Sequence, residues 1–331
     1  MGPQRRFGLI GAGRWGKVYI RTLLSLPERC RLTHLATSRP ENGALIPHPV
    51  TVVSDWRELV RMDCDAVIIA TPPSTHAEIL EACVTAGKPC IVEKPLCLDQ
   101  ERAQRIHESV ERSGIPVLVN HVHLFNPAYL ALKHALQAAA SPIRVIVSEG
   151  MSLGPFRPDT SALWDWCPHD LSLCLDLLAT VPCTVDALAG PGEPDGVPEM
   201  VALRLGFPRG EQAWVHAGRL SAEKRRTLSV FTDERLFVWD DLAREPVTVQ
   251  TIRFGPRYLD RSIETQQPRV AVPVMGQKPM EEMIRYFLEG LSGGDRTRFG
   301  TNFALDVVTV LAGCEEALQR SAAAARGMTL Q

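Results

Sequence analysis

Asp165 and His169 lie four residues apart, and with Ser172 and Asp176 they form a polar stripe at i, i+4, i+7 and i+11. Helical spacing puts all four on one face. An imidazole is the side chain suited to take up a proton near neutral pH. A carboxylate one turn before it can fix its tautomer and raise its basicity, or share a substrate hydroxyl with it. The opposite stripe, Leu171, Cys174, Leu175 and Leu178, has the helical period of a core face. A polar stripe is ordinarily a solvated face. This element, however, is otherwise apolar and opens with Trp164 and Trp166, and His169 follows Pro168, which restricts the local backbone. Asp165, His169 and one further carboxylate would also suit a cation.

A proton acceptor needs a partner for the electrons, and the N-terminus supplies a candidate. Phe7 to Ile10 is a short apolar run, followed by Gly11, Gly13 and Gly16 in G-x-G-x-x-G spacing and then by an amphipathic run through Val18, Ile20, Leu23 and Leu24. Strand, glycine loop and helix in that order form a dinucleotide-binding turn. Gly11 allows the tight turn, Gly13 lets a pyrophosphate approach the backbone, and Gly16 lets helix and strand pack closely. The helix N-terminus aims its N–H groups at the phosphates. A bound nicotinamide accepts a hydride from a carbinol carbon without a metal, so the metal reading of Asp165 and His169 ranks second. The second strand, Arg31 to Thr37, ends in Ser38-Arg39-Pro40 with no carboxylate at its tip. Ser38 and Arg39 suit a ribose 2′-phosphate, which favours NADP over NAD, although Glu41 lies within reach of a free ribose.

Further strands are expected at Thr51–Ser54, Ala66–Ala70, Pro89–Val92 and Pro116–Val119, with helices between them, which completes an α/β dinucleotide-binding domain over residues 1–123. Asp55 is a helix N-cap. Thr75 to Glu78 has capping-box spacing, which places His76 in a first helical turn at the carboxyl edge of the sheet. Lys94 follows the fifth strand at the mouth of the cofactor crevice, next to Pro95, which can hold a cis bond. The remainder, 124–331, changes character. It carries a helix Asn126–Ala139, a strand Ile143–Met151, a polar loop Ser152–Ser161 and the Asp165 helix. Strand-like runs follow at Val185–Leu188, Met200–Phe207, Gln212–Leu220, Thr227–Thr232, Leu236–Trp239 and Val247–Ile252. Helices Pro279–Leu291 and Asn302 to about Ala323 close the chain. This is an α+β domain with a large, open, mostly antiparallel sheet, and few helices remain to cover it. One face is therefore expected to take another subunit, in a homodimer or homotetramer.

Composition agrees with a globular enzyme: 331 residues, 45% hydrophobic, 22% charged and net charge −2. Near-neutral charge points away from nucleic acid and acidic membranes, and no apolar run has transmembrane length. Nine cysteines without C-x-x-C spacing, mostly in apolar elements, read as buried thiols in a reducing cytoplasm.

Gly11-Ala12-Gly13-Arg14-Trp15-Gly16, Ala70-Thr71-Pro72-Pro73-Ser74-Thr75-His76, Glu93-Lys94-Pro95-Leu96 and Asp165-x-x-x-His169-Asp170 occur in this order along essentially the whole chain. Together they resemble the glucose–fructose oxidoreductase / inositol dehydrogenase / rhizopine catabolism (Gfo/Idh/MocA) family. The resemblance implies NAD(P)-dependent oxidation of a sugar, cyclitol or sugar-nucleotide hydroxyl, or the reverse reduction. It implies cofactor contacts from Gly11, Gly13, Arg14, Trp15, Gly16, Thr71, Pro72, His76, Glu93 and Lys94, joined by Ser38 and Arg39. Lys94 would contact the substrate hydroxyl and lower its pKa, His169 would take its proton, and Asp165 would position substrate or imidazole. Many members carry arginine where this chain has His121-Val122-His123-Leu124-Phe125-Asn126-Pro127. His123 and Asn126, with Trp164, are accordingly expected to contact a neutral polyol. The family also includes reductases of dihydrodiol- or biliverdin-like substrates. A non-catalytic NAD(P)-sensing protein is the rival from another class, and intact Lys94, Asp165 and His169 argue against it.

Overall fold

The computed structural model describes residues 4–157, 160–192, 197–252, 268–298 and 300–328. The chain divides into two compact units. The first comprises residues 1–122 and 278–308, the second 123–277 and 309–331. This departs from a single boundary after residue 123, because a late segment returns to the N-terminal unit.

The first unit is built on a six-stranded parallel sheet: β1 (Arg5–Ile10), β2 (Cys30–Ala36), β3 (Thr51–Val53), β4 (Ala66–Ile69), β5 (Cys90–Glu93) and β6 (Val117–Asn120). Their order is β3-β2-β1-β4-β5-β6, so the direction of winding reverses between β1 and β4. Ligands of open α/β sheets bind at such a reversal, beyond the carboxyl ends of the strands. All four residues of β4 and of β5 are buried, as expected for central parallel strands covered on both faces. Helices α1 (Arg14–Leu24), α2 (Trp56–Arg61), α3 (Pro73–Thr85) and α4 (Gln100–Ser113) connect the strands. Asp55 and Asp99 cap α2 and α4, accepting from Arg57 N and Arg102 N, and Gly114 ends α4 in the left-handed conformation. The capping box expected at Thr75 is absent. Helix α3 starts earlier, with Pro73 as its first residue, and His76 falls at its fourth position.

The returning segment is explained by its own pattern. In the helix Pro279–Leu291, Met280, Met283, Ile284, Phe287 and Leu288 repeat at helical spacing and are buried. Phe287 meets Phe7 of β1 at 6.2 Å between ring centroids.

In the second unit, α5 (Pro127–Ala139) is followed by β7 (Ile143–Leu153), α6 (Ala162–Leu178), β8 (Thr184–Ala189), β9 (Met200–Gly206), β10 (Gln212–Gly218), β11 (Leu220–Thr232), β12 (Arg235–Asp240), β13 (Val247–Thr251) and β14 (Val270–Ala271). With the Pro279–Leu291 helix as α7, the final helix is α8 (Asn302–Met328). The eight strands form one sheet, ordered β14-β13-β12-β11-β7-β10-β9-β8. It is antiparallel except where β10 runs parallel to β7. The sequence suggests two strands with a turn between 212–220 and 227–232. The structure instead has β10 crossing the end of β7 through Arg219 alone and returning as the 13-residue β11 on its other side. Of the expected loop Ser152–Ser161, positions 158 and 159 lie outside the described residues.

Alternation across this sheet is sharp. One row of paired residues, Ala187, Leu203, Val215, Ser148, Leu228, Trp239 and Val247, is buried throughout. The row one residue away, Asp186, Arg204, Trp214, Val147, Ser229, Val238 and Thr248, contains no buried residue. Helix α6 packs against β7 and β10. The nine cysteines are free thiols, buried apart from Cys183. No helix among the described residues is long and apolar enough to cross a membrane.

Candidate active site

The residues singled out by sequence fall into two sets, one on each unit. In the first unit each motif glycine meets a distinct steric demand. Gly11 has φ +94°, and a Cβ there would lie 2.7 Å from the Ala70 carbonyl oxygen, across the β1/β4 reversal. A Cβ at Gly16 would lie 2.1 Å from Gly11 O. At Gly13 nothing lies within 4 Å of the Cβ position, and this residue is the N-cap of α1 without a side-chain cap. An open approach to backbone N–H groups at a helix N-terminus is the shape a pyrophosphate needs, so the loop fits a dinucleotide. Ser38 and Arg39 are exposed beyond the carboxyl end of β2.

At the end of β5, Glu93 is buried and accepts two hydrogen bonds on Oε1, from Tyr19 Oη at 2.8 Å and Asn120 Nδ2 at 2.7 Å. Burial raises the Glu93 pKa above the usual glutamate value, against the pull of these donors. Burial, reinforced by the neighbouring Glu93 charge, raises the Tyr19 phenol well above its ordinary value. Lys94 follows directly and is buried, and its peptide bond to Pro95 is cis. Glu93 therefore serves inside the protein, where Tyr19 and Asn120 hold the strand end that carries Lys94.

His76 also turns inward. It is fully buried, with Nδ1 2.8 Å from the Pro95 carbonyl oxygen and Nε2 2.9 Å from that of Thr71. Desolvation lowers its pKa. With both ring nitrogens facing protein carbonyls, His76 ties the loop after β4 to the loop after β5, which corrects its expected role as a cofactor contact. Thr75 Oγ1 adds a bond to Thr71 Oγ1 at 2.7 Å.

In the second unit, α6 begins at the N-cap Ser161 and keeps Pro168 in its interior. His169 is buried on this helix, edge-to-face with His123 at 4.7 Å between centroids. His123 in turn meets Trp239 of β12 at 5.7 Å. His123 thus stands beside His169. Asp165 Oδ2 lies 3.0 Å from Arg219 Nη2 and Oδ1 lies 3.5 Å from Arg157 Nη1, so both oxygens meet guanidinium groups.

The other polar residues of the expected stripe have separate duties. Ser172 donates to the His169 carbonyl oxygen, and Asp176 accepts from Tyr129 Oη and from Lys133 Nζ. Asp170, fully buried, accepts on Oδ1 from Ser148 Oγ at 2.6 Å and from Arg226 Nη1 at 3.1 Å. A Cβ at Gly150 would intrude on this pair, 2.5 Å from Asp170 Oδ2. Asn126 has a structural duty: Oδ1 accepts from Ala128 N as the N-cap of α5, and Nδ2 donates to Asp241 Oδ1. Trp164 is buried, with Nε1 donating to Glu315 Oε1 at 3.1 Å.

Four supporting residues escape sequence reading. Tyr19 lies on the apolar face of α1, Ser148 within an alternating strand, and Arg219 and Arg226 among exposed-looking strand residues. Asn120 carries a usable signal, an amide closing the apolar run Val117-Leu118-Val119.

Comparison with known proteins agrees with this geometry. Residues 5–121 match the GFO_IDH_MocA model, an oxidoreductase family with an NAD-binding Rossmann fold. The chain is 27% identical over 240 residues to UDP-N-acetylglucosamine 3-dehydrogenase of Acidithiobacillus ferrooxidans, covering 70% of this chain and 72% of the relative. It is 29% identical to inositol 2-dehydrogenase of Rhizobium meliloti, over 56% of this chain and 58% of that one. A crystal structure of a Magnetospirillum magnetotacticum protein assigned as an oxidoreductase superposes with TM-score 0.83 at 37% identity, over 94% of this chain and 99% of its own. The glycine loop, the motifs that follow it and these matches identify the chain as an NAD(P)-binding oxidoreductase of the Gfo/Idh/MocA family.

Proposed function

We propose that the protein interconverts a secondary alcohol and a ketone on a sugar, cyclitol or sugar-nucleotide ring, with NADP(H) as the hydride partner. A dinucleotide held by its pyrophosphate at the glycine loop would supply the hydride acceptor or donor. His169 takes the hydroxyl proton as the carbonyl forms, and Lys94 donates to the hydroxyl oxygen, which lowers the pKa of that group. Asp165, one turn before His169 on the same helix, positions substrate or imidazole. The observation that carries this reading is the setting of His169, a buried imidazole between a second imidazole and the Asp165 turn. Two relatives named as dehydrogenases of ring substrates support the substrate class. The stretch 121–127, which carries no arginine, favours uncharged ring hydroxyls at that point. Exposed Ser38 and Arg39, with no carboxylate at the tip of β2, favour the 2′-phosphate of NADP.

Lys94→Ala should lower kcat/KM by about 100-fold, while NADPH still binds, as read by quenching of tryptophan fluorescence. Undiminished turnover in this variant would remove Lys94 from the mechanism. In the same titration, Arg39→Ala should weaken NADPH far more than NADH, and equal weakening would overturn the NADP assignment.

A further inference from the structure

We propose that Arg219 is a positioning residue of this reaction: its guanidinium holds the Asp165 carboxylate and thereby the turn of α6 that presents His169. The inference rests on the role given to Asp165 above. It starts from topology. β10 and β11 flank β7 on opposite sides, and Arg219 is the single residue that carries the chain across the end of β7. Gly218 makes the crossing possible, with φ +152° and a would-be Cβ only 2.4 Å from Glu199 O. The Arg219 backbone is pinned at both ends: N donates to Glu199 O at 2.7 Å, and O accepts from Gly154 N at 3.0 Å.

The side chain does not follow the strand into solvent. It is 0% exposed. Nη1 donates to Glu199 Oε2 at 2.7 Å, and Nη2 donates to the Thr160 carbonyl at 2.8 Å and to Asp165 Oδ2 at 3.0 Å. One planar group therefore joins the residue before β9, the loop before α6 and the first turn of α6. Stability alone is a poor reason to keep such an ion, since buried ion pairs are often replaceable by apolar packing without loss. A rigid fork does what apolar packing cannot, because it fixes the direction of a carboxylate. The carboxylate so fixed belongs to the residue one turn before His169. Misplacing a reacting geometry by about an ångström costs on the order of 100-fold in rate.

The test is a double-mutant cycle on the full-length protein with Arg219→Met, Arg219→Lys and Asp165→Asn, reading kcat, KM and NADPH Kd. Arg219→Met should lower kcat about 30-fold with NADPH Kd unchanged, and Arg219→Lys should recover part of the loss. The Arg219→Met/Asp165→Asn double variant should be no slower than the slower single variant, because the two residues act as one unit. If Arg219→Met does not fold, the same cycle runs with Arg219→Lys, for which a smaller loss and the same non-additivity are expected. Additive losses, or a normal kcat, would overturn the proposal while leaving the functional reading intact. A normal kcat in Asp165→Asn instead removes Asp165 from the mechanism, and Arg219 with it.

Discussion

At the scale of single residues, Glu93 shows how the fold supports Lys94 from below. Its carboxyl is buried, and Tyr19 and Asn120 both donate to the same oxygen. Because burial raises its folded pKa, the folded state holds this proton more tightly than the unfolded chain does. Wild-type stability therefore contains a contribution that is full below the ordinary glutamate value of 4.5 and is lost as pH rises through the raised folded value. Glu93→Gln removes that titration. Thermal unfolding across pH 4 to 8 should show a shallower decline in Tm for Glu93→Gln than for wild type over this window, and identical slopes would mean that Glu93 is not held protonated by burial. The residue scale is also where the sequence is only partly legible. The E-K-P motif marks Lys94, but nothing in its spacing reveals that Tyr19, 74 positions earlier, donates to the glutamate beside it. His76 was visible as a polar residue at the sheet edge. Its orientation was not, because both its partners are backbone carbonyls, which leave no trace in side-chain patterns.

At the scale of elements, capping and periodicity carried most of the information. Short apolar runs mark strands of the first sheet and helical period marks the buried stripe of α6, since each reports which residues meet the core. They mislead where a polar residue has a local duty. The polyol contact expected of Asn126 comes from the family resemblance and the arginine missing from this stretch, yet a polar side chain at the entrance to an apolar helix also stands at the position of a cap. The structure assigns it the cap, through Ala128 N, with a second bond to Asp241. Asn126→Ala should then lower stability by about 1–2 kcal/mol and leave KM for the alcohol substrate within about twofold. A large rise in KM with unchanged stability would restore the substrate role. Element boundaries were harder to read for a topological reason. The single-residue crossing at Arg219 joins two strands that flank a third, and local sequence does not distinguish that crossing from a turn.

At the scale of the whole molecule, the chain order conceals one fact and foretells another. Nothing in local composition says that residues 278–308 belong with the first unit. That follows from the side chains α7 buries there, including Phe287 against Phe7. The open sheet of the second unit, by contrast, was expected from six strand-like runs with few helices to cover them. Its outer row is the place to look for a partner, and we propose that a second copy of the chain covers it. Trp214 is 42% exposed and Val147, paired with it on the neighbouring strand, is 37% exposed. On the same row Arg204 pairs with Asp186 at 2.6 Å. An apolar centre beside paired opposite charges suits a self-complementary contact, because a twofold axis brings each patch against its own copy. A charge introduced at the centre is then doubled, facing its own equivalent across the axis and stripping apolar contact from both sides. Light scattering coupled to size exclusion should give a dimer or tetramer for wild type and a shift toward monomer for Trp214→Glu. NADPH binding should be retained, since the glycine loop belongs to the other unit. A monomeric wild type, or a Trp214→Glu variant with unchanged mass, would leave this sheet face without the partner proposed for it.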